Sequence, residues 1–269
     1  MLIEPQVWRK LAVLDETLSR SIRGEQGEIP LIPGRDVQIL SMRGLPSKPG
    51  LASREGQARL LHDLASIELQ AMELGMRTLY EFPNAPAAFR EQLAEVTRDE
   101  GRHLKLCLEG LENLGLPWGS FPTHVALWAA TSTEDSLLDR IVIVHRYLEG
   151  SGLDATNTIL RRLTGVNAPE VKRTVTVISD DEVKHVQFGS RWYHQLLREQ
   201  GVDPTLDFRQ RLERLMVRVP RRLEPIHLEL RKQAGFLPGE IEFLQELRSN
   251  QSSHPGRGSA IVPRPAFPT

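Results

Sequence analysis

The chain carries the stretch Asp99-Glu100-Gly101-Arg102-His103, and the same pattern returns later as Asp181-Glu182-Val183-Lys184-His185. In both copies a glutamate and a histidine are three residues apart. On an α-helix this spacing puts the two side chains on one face, about one turn apart. Both copies lie in long segments of helical periodicity, so the pattern predicts two helices that each present a Glu and a His on the same side.

A single glutamate precedes each copy at almost the same distance. Glu68 comes 32 residues before Glu100, and Glu149 comes 33 residues before Glu182. At about 1.5 Å rise per residue, a helical hairpin with this offset brings its two glutamates to a similar height. The chain is therefore predicted to contain two helical hairpins, each supplying one Glu and one Glu-x-x-His pair.

Each of these four glutamates interrupts a stripe of apolar residues with helical spacing, which is typical of a face turned toward a protein core. The apolar neighbours include Leu64 and Met72 near Glu68, Leu93 and Leu104 near Glu100, Leu138 and Leu153 near Glu149, and Val175 and Val186 near Glu182. A buried carboxylate is costly unless it is paired or bound to a metal. Four of them beside only two histidines would repel one another, and two divalent cations would remove that repulsion.

One Glu from each of two helices, with a Glu-x-x-His pair from each of two others, forms the ligand set of carboxylate-bridged di-iron and di-manganese bundles. We therefore predict that two metal ions bind six side chains: Glu68, Glu100, His103, Glu149, Glu182 and His185. Imidazole suits iron, and carboxylates accept iron or manganese. Iron is the metal that we expect, and manganese is the alternative.

The helical periods predict an all-α fold, namely a ferritin-like four-helix bundle with one long crossover, an N-terminal arm and C-terminal helices. The bundle should occupy residues 52–201, with helices over 52–81, 85–114, 134–163 and 167–200 and the crossover between the second and third. Residues 1–51 should form a helix and an arm packed on the bundle. Residues 202–249 should form shorter helices (205–217, 221–233 and 238–248) that complete the same domain, and residues 250–269 a flexible tail.

The composition narrows the class of protein further. The 269 residues are 40 % hydrophobic and carry a net charge of −1, so they can form one core, and no global field favours nucleic acid or a membrane. The single cysteine, Cys107, fits a reducing compartment. The first residues lack the basic start and apolar run of a signal peptide, and no stretch approaches the ~20 apolar residues of a membrane span. We therefore expect a cytoplasmic protein.

Several segments together resemble the bacterial ferritin-like family catalogued as domain of unknown function number 455. They are Ile67-Glu68-Leu69-Gln70-Ala71-Met72-Glu73, Asp99-Glu100-x-Arg102-His103, Phe121-Pro122-x-His124, Leu148-Glu149-x-x-Gly152-Leu153-Asp154, Asp181-Glu182-x-x-His185-Val186-x-x-Gly189-x-x-Trp192 and Arg231-Lys232-Gln233-Ala234-Gly235-Phe236. The resemblance covers roughly residues 55–240 and implies a ferritin-like bundle with a dinuclear metal site. It implies no particular reaction. Ser66 stands where we expect a family histidine, so a role of that histidine does not carry over.

The resemblance to ferritin-like sites also implies roles for two aspartates that precede the ligand glutamates. Asp99 would accept a hydrogen bond from the outer ring nitrogen of His185, and Asp181 would accept one from His103, because metal-bound histidines usually donate their second N–H to a carboxylate or carbonyl. Surface ion pairs of each aspartate with a neighbouring base are the alternative.

Other residues near the predicted ligands leave alternatives open. His145 lies one turn before Glu149 on the same face, and it could be a further ligand, a proton donor or a core histidine bonded to a backbone carbonyl, the last being commonest. His62 and His124 pose the same question. We expect Cys107 to be a small buried hydrophobe.

The leading functional hypothesis is an enzyme, an O2-dependent oxygenase or oxidase of the hydroxylase type. It would act on a small organic substrate with electrons from a separate donor. The residues outside the bundle are numerous enough to build a pocket or a lid. Gly150 and Gly152, just after Glu149, are expected to loosen that helix into a π-bulge, a distortion often found at functional sites.

Three other functions fit the same ligand set. They are ferroxidase or iron storage in a closed shell, manganese-dependent peroxide dismutation, and tRNA hydroxylation. Residues 206–232 hold more Arg and Lys than Asp and Glu, but few aromatic residues are interleaved with them. A solvated helix face therefore explains this stretch better than nucleic-acid binding does. No membrane partner is expected, and a homodimer is compatible with the enzyme hypothesis.

Overall fold

The computed structural model of the chain describes residues 1–220, 222 and 224–253, the last three by their backbone alone. Most of the predicted tail, from residue 254 onward, lies outside the described residues. The described helices are α1 (Val7–Ala12), α2 (Leu14–Ile22), α3 (Arg54–Glu81), α4 (Ala87–Asn113), α5 (Ala126–Ala129), α6 (Leu137–Ile141), α7 (Glu149–Arg162), α8 (Pro169–Gln200), α9 (Pro204–Leu215), α10 (Leu228–Gln233) and α11 (Pro238–Ser253). A 3-10 helix covers Met42–Gly44, and a π-helical segment covers Val142–Leu148.

The prediction of an all-α fold is confirmed. Within the described part of the chain no strand forms, and an isolated bridge joins Ile39 to Thr123. None of the described helices is both long and apolar enough to cross a membrane.

The first hairpin consists of α3 and α4, which pack along each other. Ser53 starts α3, because its hydroxyl accepts a hydrogen bond from the Gly56 N–H at 3.0 Å. Pro83 and Pro86 stand in the short turn before α4, where proline cannot continue a helix. Fully buried leucines and methionines then fill the contact between the two helices, with Leu61, Met72, Leu93 and Leu104 among them.

The third long helix is continuous but not uniform. It begins with α6, where Ser136 and Asp139 form a capping box, passes through the π-helical segment and ends as α7. We expected the distortion just after Glu149, and the structure has it just before. Gly150 instead allows a close approach, since a Cβ there would lie 2.3 Å from Nη1 of the buried Arg231.

The fourth long helix, α8, ties the two halves together. It packs against α7 and the π-helical segment on one side and against α4 on the other. This arrangement brings the second Glu-x-x-His pair, on α8, directly against the first, on α4.

The crossover and the N-terminal arm cover α3. Gln70 of α3 donates to the His124 carbonyl oxygen at 3.0 Å and accepts from the Leu127 N–H at 3.1 Å, so it fixes the crossover near α5. The arm is held by Glu73, which pairs with Lys10 at 2.7 Å and with Arg35 at 2.5 Å. The Gln70 contact places Leu127 beside α3, where both line one cavity wall.

The C-terminal helices close the other side of the molecule. Phe208 of α9 is fully buried beside Phe236 and Phe243, and the guanidinium of Arg146 lies over the rings of Phe208 and Phe236. The helix predicted over 221–233 begins only at Leu228. Pro225 explains this difference, because the residue before a proline is disfavoured in the α conformation.

Candidate metal centre

Four buried side chains from two helices meet at one point. Glu100 and His103 come from α4, Glu182 and His185 come from α8, and one ligand atom of each lies within 4.8 Å of the other three. The Glu-x-x-His spacing produces this meeting, because it keeps both side chains of each helix on the face that touches the other helix. This group can hold a metal ion.

Both histidines turn their Nδ1 atoms toward the carboxylates. His185 Nδ1 lies 2.9 Å from Glu100 Oε1 and 3.7 Å from Glu182 Oε1. His103 Nδ1 lies 3.8 Å from Glu100 Oε2 and 3.9 Å from Glu182 Oε1. The centroids of the two imidazole rings are 5.5 Å apart. The inner nitrogens therefore face a shared space bounded by oxygen atoms.

The outer nitrogens of the same histidines face the two aspartates. His103 Nε2 lies 3.5 Å from Asp181 Oδ2, and His185 Nε2 lies 3.5 Å from Asp99 Oδ2. These are the crossed pairs that the resemblance implied, at the long limit of a hydrogen bond. Asp181 also accepts from Arg102 at 2.6 Å, so the aspartates support the histidines and form ion pairs at the same time.

The two remaining predicted ligands lie next to this group. Glu68 of α3 brings its Oε2 atom to 3.4 Å from His103 Nδ1. Glu149, the first residue of α7, lines the same cavity as Glu68, Glu100 and Glu182. Thus each of the four long helices contributes a carboxylate to one cavity wall.

His145 contacts a predicted ligand rather than a backbone carbonyl. Its Nδ1 lies 2.8 Å from Glu149 Oε1, and its Nε2 is buried with no hydrogen-bond partner in the described residues. Gly189 of α8 makes room for it, because a Cβ there would lie 2.4 Å from the His145 Cβ. His145 therefore holds one oxygen of Glu149 and leaves the other, Oε2, without a hydrogen bond among the described residues.

The donor set fits metal ions on an observation independent of the sequence motif. Both carboxylate oxygens of Glu100, and Nδ1 of both His103 and His185, are buried without a well-aligned hydrogen bond from any described residue. Buried polar atoms are nearly always hydrogen-bonded, and leaving one unsatisfied costs about 1–3 kcal/mol. Oxygen and imidazole atoms that converge with lone pairs unused are what a divalent cation requires.

The protein without metal has strongly shifted acid pKa values at this point. Burial raises the pKa of Glu68 well above its usual range, and burial together with the charge of Glu100 raises the pKa of Glu182 to about 7. Burial also acts to raise the pKa of Glu100, but the positive charge of His185 and the closeness of both imidazoles outweigh it and lower that pKa well below its usual range. One glutamate therefore stays ionised while its neighbours tend to hold protons.

The histidines carry the matching positive charge. Burial acts to lower the pKa of His103, but the nearby carboxylates of Glu100 and Glu68 raise it to about 10. The pKa of His185 is likewise raised well above its usual range, because the charge of Glu100 outweighs the effect of burial. Without metal, the protonated imidazoles thus supply the positive charge that balances the carboxylates.

A cavity of about 130 Å³ reaches the four glutamates. Its wall is mostly apolar and includes Leu64, Ile67, Ala71 and Leu74 of α3, Leu127 of the crossover, Val144 and Leu148 of the π-helical segment, Ala155 and Ile159 of α7, and Ile178 of α8. The polar wall residues other than the glutamates are Ser151, Thr156 and Arg222. Arg222 was not singled out from the sequence, because no motif marks it, and the structure places it between α9 and α10 instead of in the helix predicted over 221–233. We call this space the inner cavity.

The other residues considered from the sequence lie away from the ligand atoms. His62 stacks on Trp118 with 4.6 Å between ring centroids and accepts from the Gly119 N–H, and burial lowers its pKa to about 4. His124 Nδ1 accepts from the Ala126 N–H. Cys107 is buried, as expected, and burial raises the pKa of its thiol. Ser66 is buried beside Gln70.

Comparison with known proteins supports the resemblance seen in the motifs. The family model described as "Protein of unknown function (DUF455)" matches residues 4–242. An uncharacterized protein of Haemophilus influenzae (strain ATCC 51907 / DSM 11121 / KW20 / Rd) is 32% identical over 237 residues, which cover 85% of this chain and 81% of the relative. No solved structure gives a significant match. The chain therefore belongs to the DUF455 family.

Proposed function

We propose that this member of the family is a ferritin-like, carboxylate-bridged dinuclear metalloenzyme that uses O2 to oxidise a small organic substrate. The observation that carries the proposal is the inner cavity, whose wall contains Glu68, Glu100, Glu149 and Glu182 and is otherwise mainly apolar. A purely structural cluster of buried acids has no need of a cavity that leads to it. Largely apolar pockets with a few convergent polar groups are typical of small-molecule sites.

Six side chains would hold two metal ions, with iron favoured over manganese. Glu100 and Glu182 lie between the two histidines and would hold the ions with them, Glu68 is next to His103, and Glu149 is held by His145. Nδ1 of each histidine would be the ligand atom, because Nε2 faces an aspartate. When bound, such a pair supplies the electrons that reduce O2, and an external donor must restore them.

The chain itself would exclude water from the site, orient the substrate and fix the tautomers of the ligand histidines. Apolar side chains of α3, α7 and α8 exclude water around the carboxylates, which strengthens every electrostatic interaction there. Ser151 and Thr156 offer hydroxyl groups on the α7 side of the cavity and could orient a polar group of the substrate. Asp99 and Asp181 keep the histidines in the tautomer whose Nδ1 is free to bind.

The basic stretch near α9 supports a small substrate more than RNA. Arg218 pairs with Asp135 at 2.6 Å, and Arg211 and Arg214 each pair with Asp139 at 2.7 Å. These cations are already matched by acids of the same chain. A phosphate backbone would have to compete with those pairs, and no such competition arises for an uncharged substrate portion in the inner cavity.

The proposal is tested on protein purified from iron-supplemented cells. We expect about two iron atoms per chain, the near-ultraviolet absorption of a diferric site, and O2 consumption when the reduced protein is re-exposed to air. Glu100→Ala should lose these signals, and Glu109→Ala on the same helix should keep them. A metal content near zero after reconstitution would refute the dinuclear site.

The same preparation separates the other functions. A closed multi-subunit shell that mineralises iron would replace the enzyme proposal with storage. Oxygen release from peroxide by manganese-loaded protein would replace it with dismutation. Strongly salt-dependent RNA binding that is coupled to O2 uptake would favour a tRNA hydroxylase.

A further inference from the structure

A second cavity lies against the inner one and shares two wall residues of α7 with it. It has a volume of about 200 Å³ and is lined by Lys48, Pro49, Leu51, Gly56, Arg59, Leu60, Ala155, Thr158, Ile159, Arg162 and Glu224. We call it the outer cavity. Ala155 and Ile159 of α7 belong to both walls, so the two spaces are adjacent at these side chains.

The charged groups of the outer cavity favour an anion. Three cationic side chains line it against one carboxylate, that of Glu224, which already has Arg248 as a neighbour, with 3.8 Å between Nη1 and Oε2. Lys48 pairs with Asp63 at 2.8 Å, so the two lining arginines are the cations that matter for a ligand. Arg162 is exposed and makes no ion pair with any described residue. Positive charges in a concave surface attract small anions more strongly than the same charges on a flat one.

Arg59 gives a second and independent indication. This arginine is 1% exposed, and its Nε donates to Asp63 at 2.9 Å. Its terminal Nη2 atom is buried without a hydrogen-bond partner in the described residues. A buried guanidinium nitrogen without an acceptor is costly, and a carboxylate or phosphate oxygen is the acceptor that arginine binds best.

The inner cavity has the opposite character. Four glutamates and a mainly apolar wall leave Arg222 as its one cationic lining residue among those described. An anionic group would lose its hydration at this apolar wall, whereas a hydrocarbon portion would replace water there. The outer cavity therefore suits an anionic group and the inner cavity an apolar one, and a single molecule can carry both.

We propose that the substrate is an amphiphilic anion whose carboxylate or phosphate group binds Arg59 and Arg162 in the outer cavity. Its apolar portion would pass Ala155 and Ile159 and reach the glutamates in the inner cavity. This inference rests on the proposed function, because it defines the substrate class of that same site. Oxidation would then occur on the apolar portion, several bonds away from the anionic group.

The test measures binding without turnover. Metal-loaded protein is titrated with octanoate, octyl phosphate, octylammonium and 1-octanol under anaerobic conditions, and heats of binding give each affinity. We expect the two anions to bind about tenfold or more tightly than octylammonium or 1-octanol, because each gains charge-assisted hydrogen bonds. Equal affinity for octylammonium and octanoate would overturn the inference.

Matched variants locate the anionic end. Arg162→Gln should weaken octanoate binding about five- to tenfold, whereas Arg161→Gln, at an exposed neighbour that does not line the cavity, should change it less than about twofold. Arg59→Lys should weaken it too, since lysine cannot offer the same fork of donors. Equal effects of Arg162→Gln and Arg161→Gln would contradict the assignment.

A third variant tests the passage between the cavities. Ala155→Phe should weaken octanoate binding but leave the weaker binding of acetate unchanged, because acetate needs only the outer cavity. If both ligands lose affinity equally, the two cavities do not share one ligand and the inference fails.

The outcomes separate this inference from the proposed function. Selective anion binding with these variant effects, but no O2 consumption with any reductant, would retain the amphiphile site and reject the oxygenase. O2 consumption driven by neutral or cationic molecules, without anion binding, would retain the oxygenase and reject the amphiphile.

Discussion

Two groups of buried charged residues lie in different parts of the fold, and the cost of burial is compensated differently in each. In the first, Arg146 donates to both oxygens of Glu240 at 2.8 and 2.6 Å, and Arg231 pairs with Asp154 at 2.7 Å. In the second, the metal-centre group, the oxygens of Glu100 have no well-aligned donor among the described residues. All of these acids are almost fully buried.

The pKa values of Glu240 and Glu182 differ accordingly. Burial acts to raise the pKa of Glu240, but the charge of Arg146 outweighs it and lowers the pKa to about 2. Burial and the charge of Glu100 raise the pKa of Glu182 to about 7, because its contact with His185 does not outweigh them. Glu100 has a lowered pKa instead, since the charge of His185 takes the place of a guanidinium there. A buried acid that is matched by a guanidinium stabilises the fold, whereas one left unmatched is available to a ligand. The comparison gives a criterion for telling a structural acid from a functional one.

The largest effect on stability is expected in the matched group. Glu240→Ala leaves Arg146 buried without its partner and should lower the free energy of unfolding by about 3–5 kcal/mol, measured by chemical denaturation. Glu246→Ala breaks an exposed pair with Arg209 and should cost less than about 1 kcal/mol. Similar losses in the two variants would remove the distinction between matched and exposed acids.

The same change in the unmatched group should act on metal and not on the fold. Glu100→Ala should reduce the bound metal by at least one ion per chain, measured by elemental analysis, while the far-ultraviolet circular dichroism stays that of the wild type. The Glu240→Ala variant, provided that it folds, should keep its full metal content. Full metal occupancy in Glu100→Ala would contradict the ligand assignment.

The pH dependence of the metal-free protein sharpens the comparison. The pKa of Glu182 is raised from 4.5 to about 7 in the folded protein, so stability is lost as pH rises through that range and the loss is complete above it. Glu182→Gln has no such loss and should be more stable than the wild type at pH 8, by on the order of 1–3 kcal/mol, with the gain vanishing near pH 4.

Glu240→Gln should show the reverse. Its lowered pKa contributes stability above the unfolded value, and that stability is lost only as pH falls toward about 2. At pH 8 this variant should therefore be less stable than the wild type. Denaturation with a chelator present at pH 4.5, 6 and 8 checks both signs, and parallel curves for the two variants would refute the difference.

The smallest effects are expected at two glycines on α7. A Cβ at Gly150 would lie 2.3 Å from Arg231 Nη1, whereas a Cβ at Gly152 meets nothing within 4 Å. Gly150→Ala should cost about 1–3 kcal/mol, because Arg231 is held by Asp154 and cannot move freely. Gly152→Ala should stabilise by roughly 0.5–1 kcal/mol, because alanine favours the helix. Thermal unfolding measures both changes, and a destabilised Gly152→Ala would show that this side of the helix is not open.

Local sequence patterns were sufficient for the helices and for the pairing of the two Glu-x-x-His motifs. Helical periodicity predicted the all-α fold, and the spacing of Glu100 with His103 and of Glu182 with His185 predicted their meeting, because both depend on residues within one turn. The family was identified from the same motifs. The full set of six ligands and the identity of the metal stay predictions.

Other features could not be read from neighbouring residues. Arg59, Arg162 and Arg222 gain their positions from loops and helices distant in sequence, and no local pattern marks them as cavity residues. Arg146 follows His145 directly, yet one matches an acid of α11 and the other an acid of α7. Long-range packing decides which acid each side chain contacts, and helical periodicity in the sequence does not report it.

The π-helical segment Val142–Leu148 has a consequence for insertions and deletions. Hydrogen bonds that span five residues instead of four accommodate one residue more than a regular helix of that rise would hold. Deleting one residue there would restore a regular helix and leave the two flanking helices facing nearly as before, because the wider turns absorb the extra residue. Glu149 would keep its face toward α8, whereas residues inside the segment would turn relative to it. The number of residues in this stretch, apart from their identity, thus sets how His145 meets Glu149.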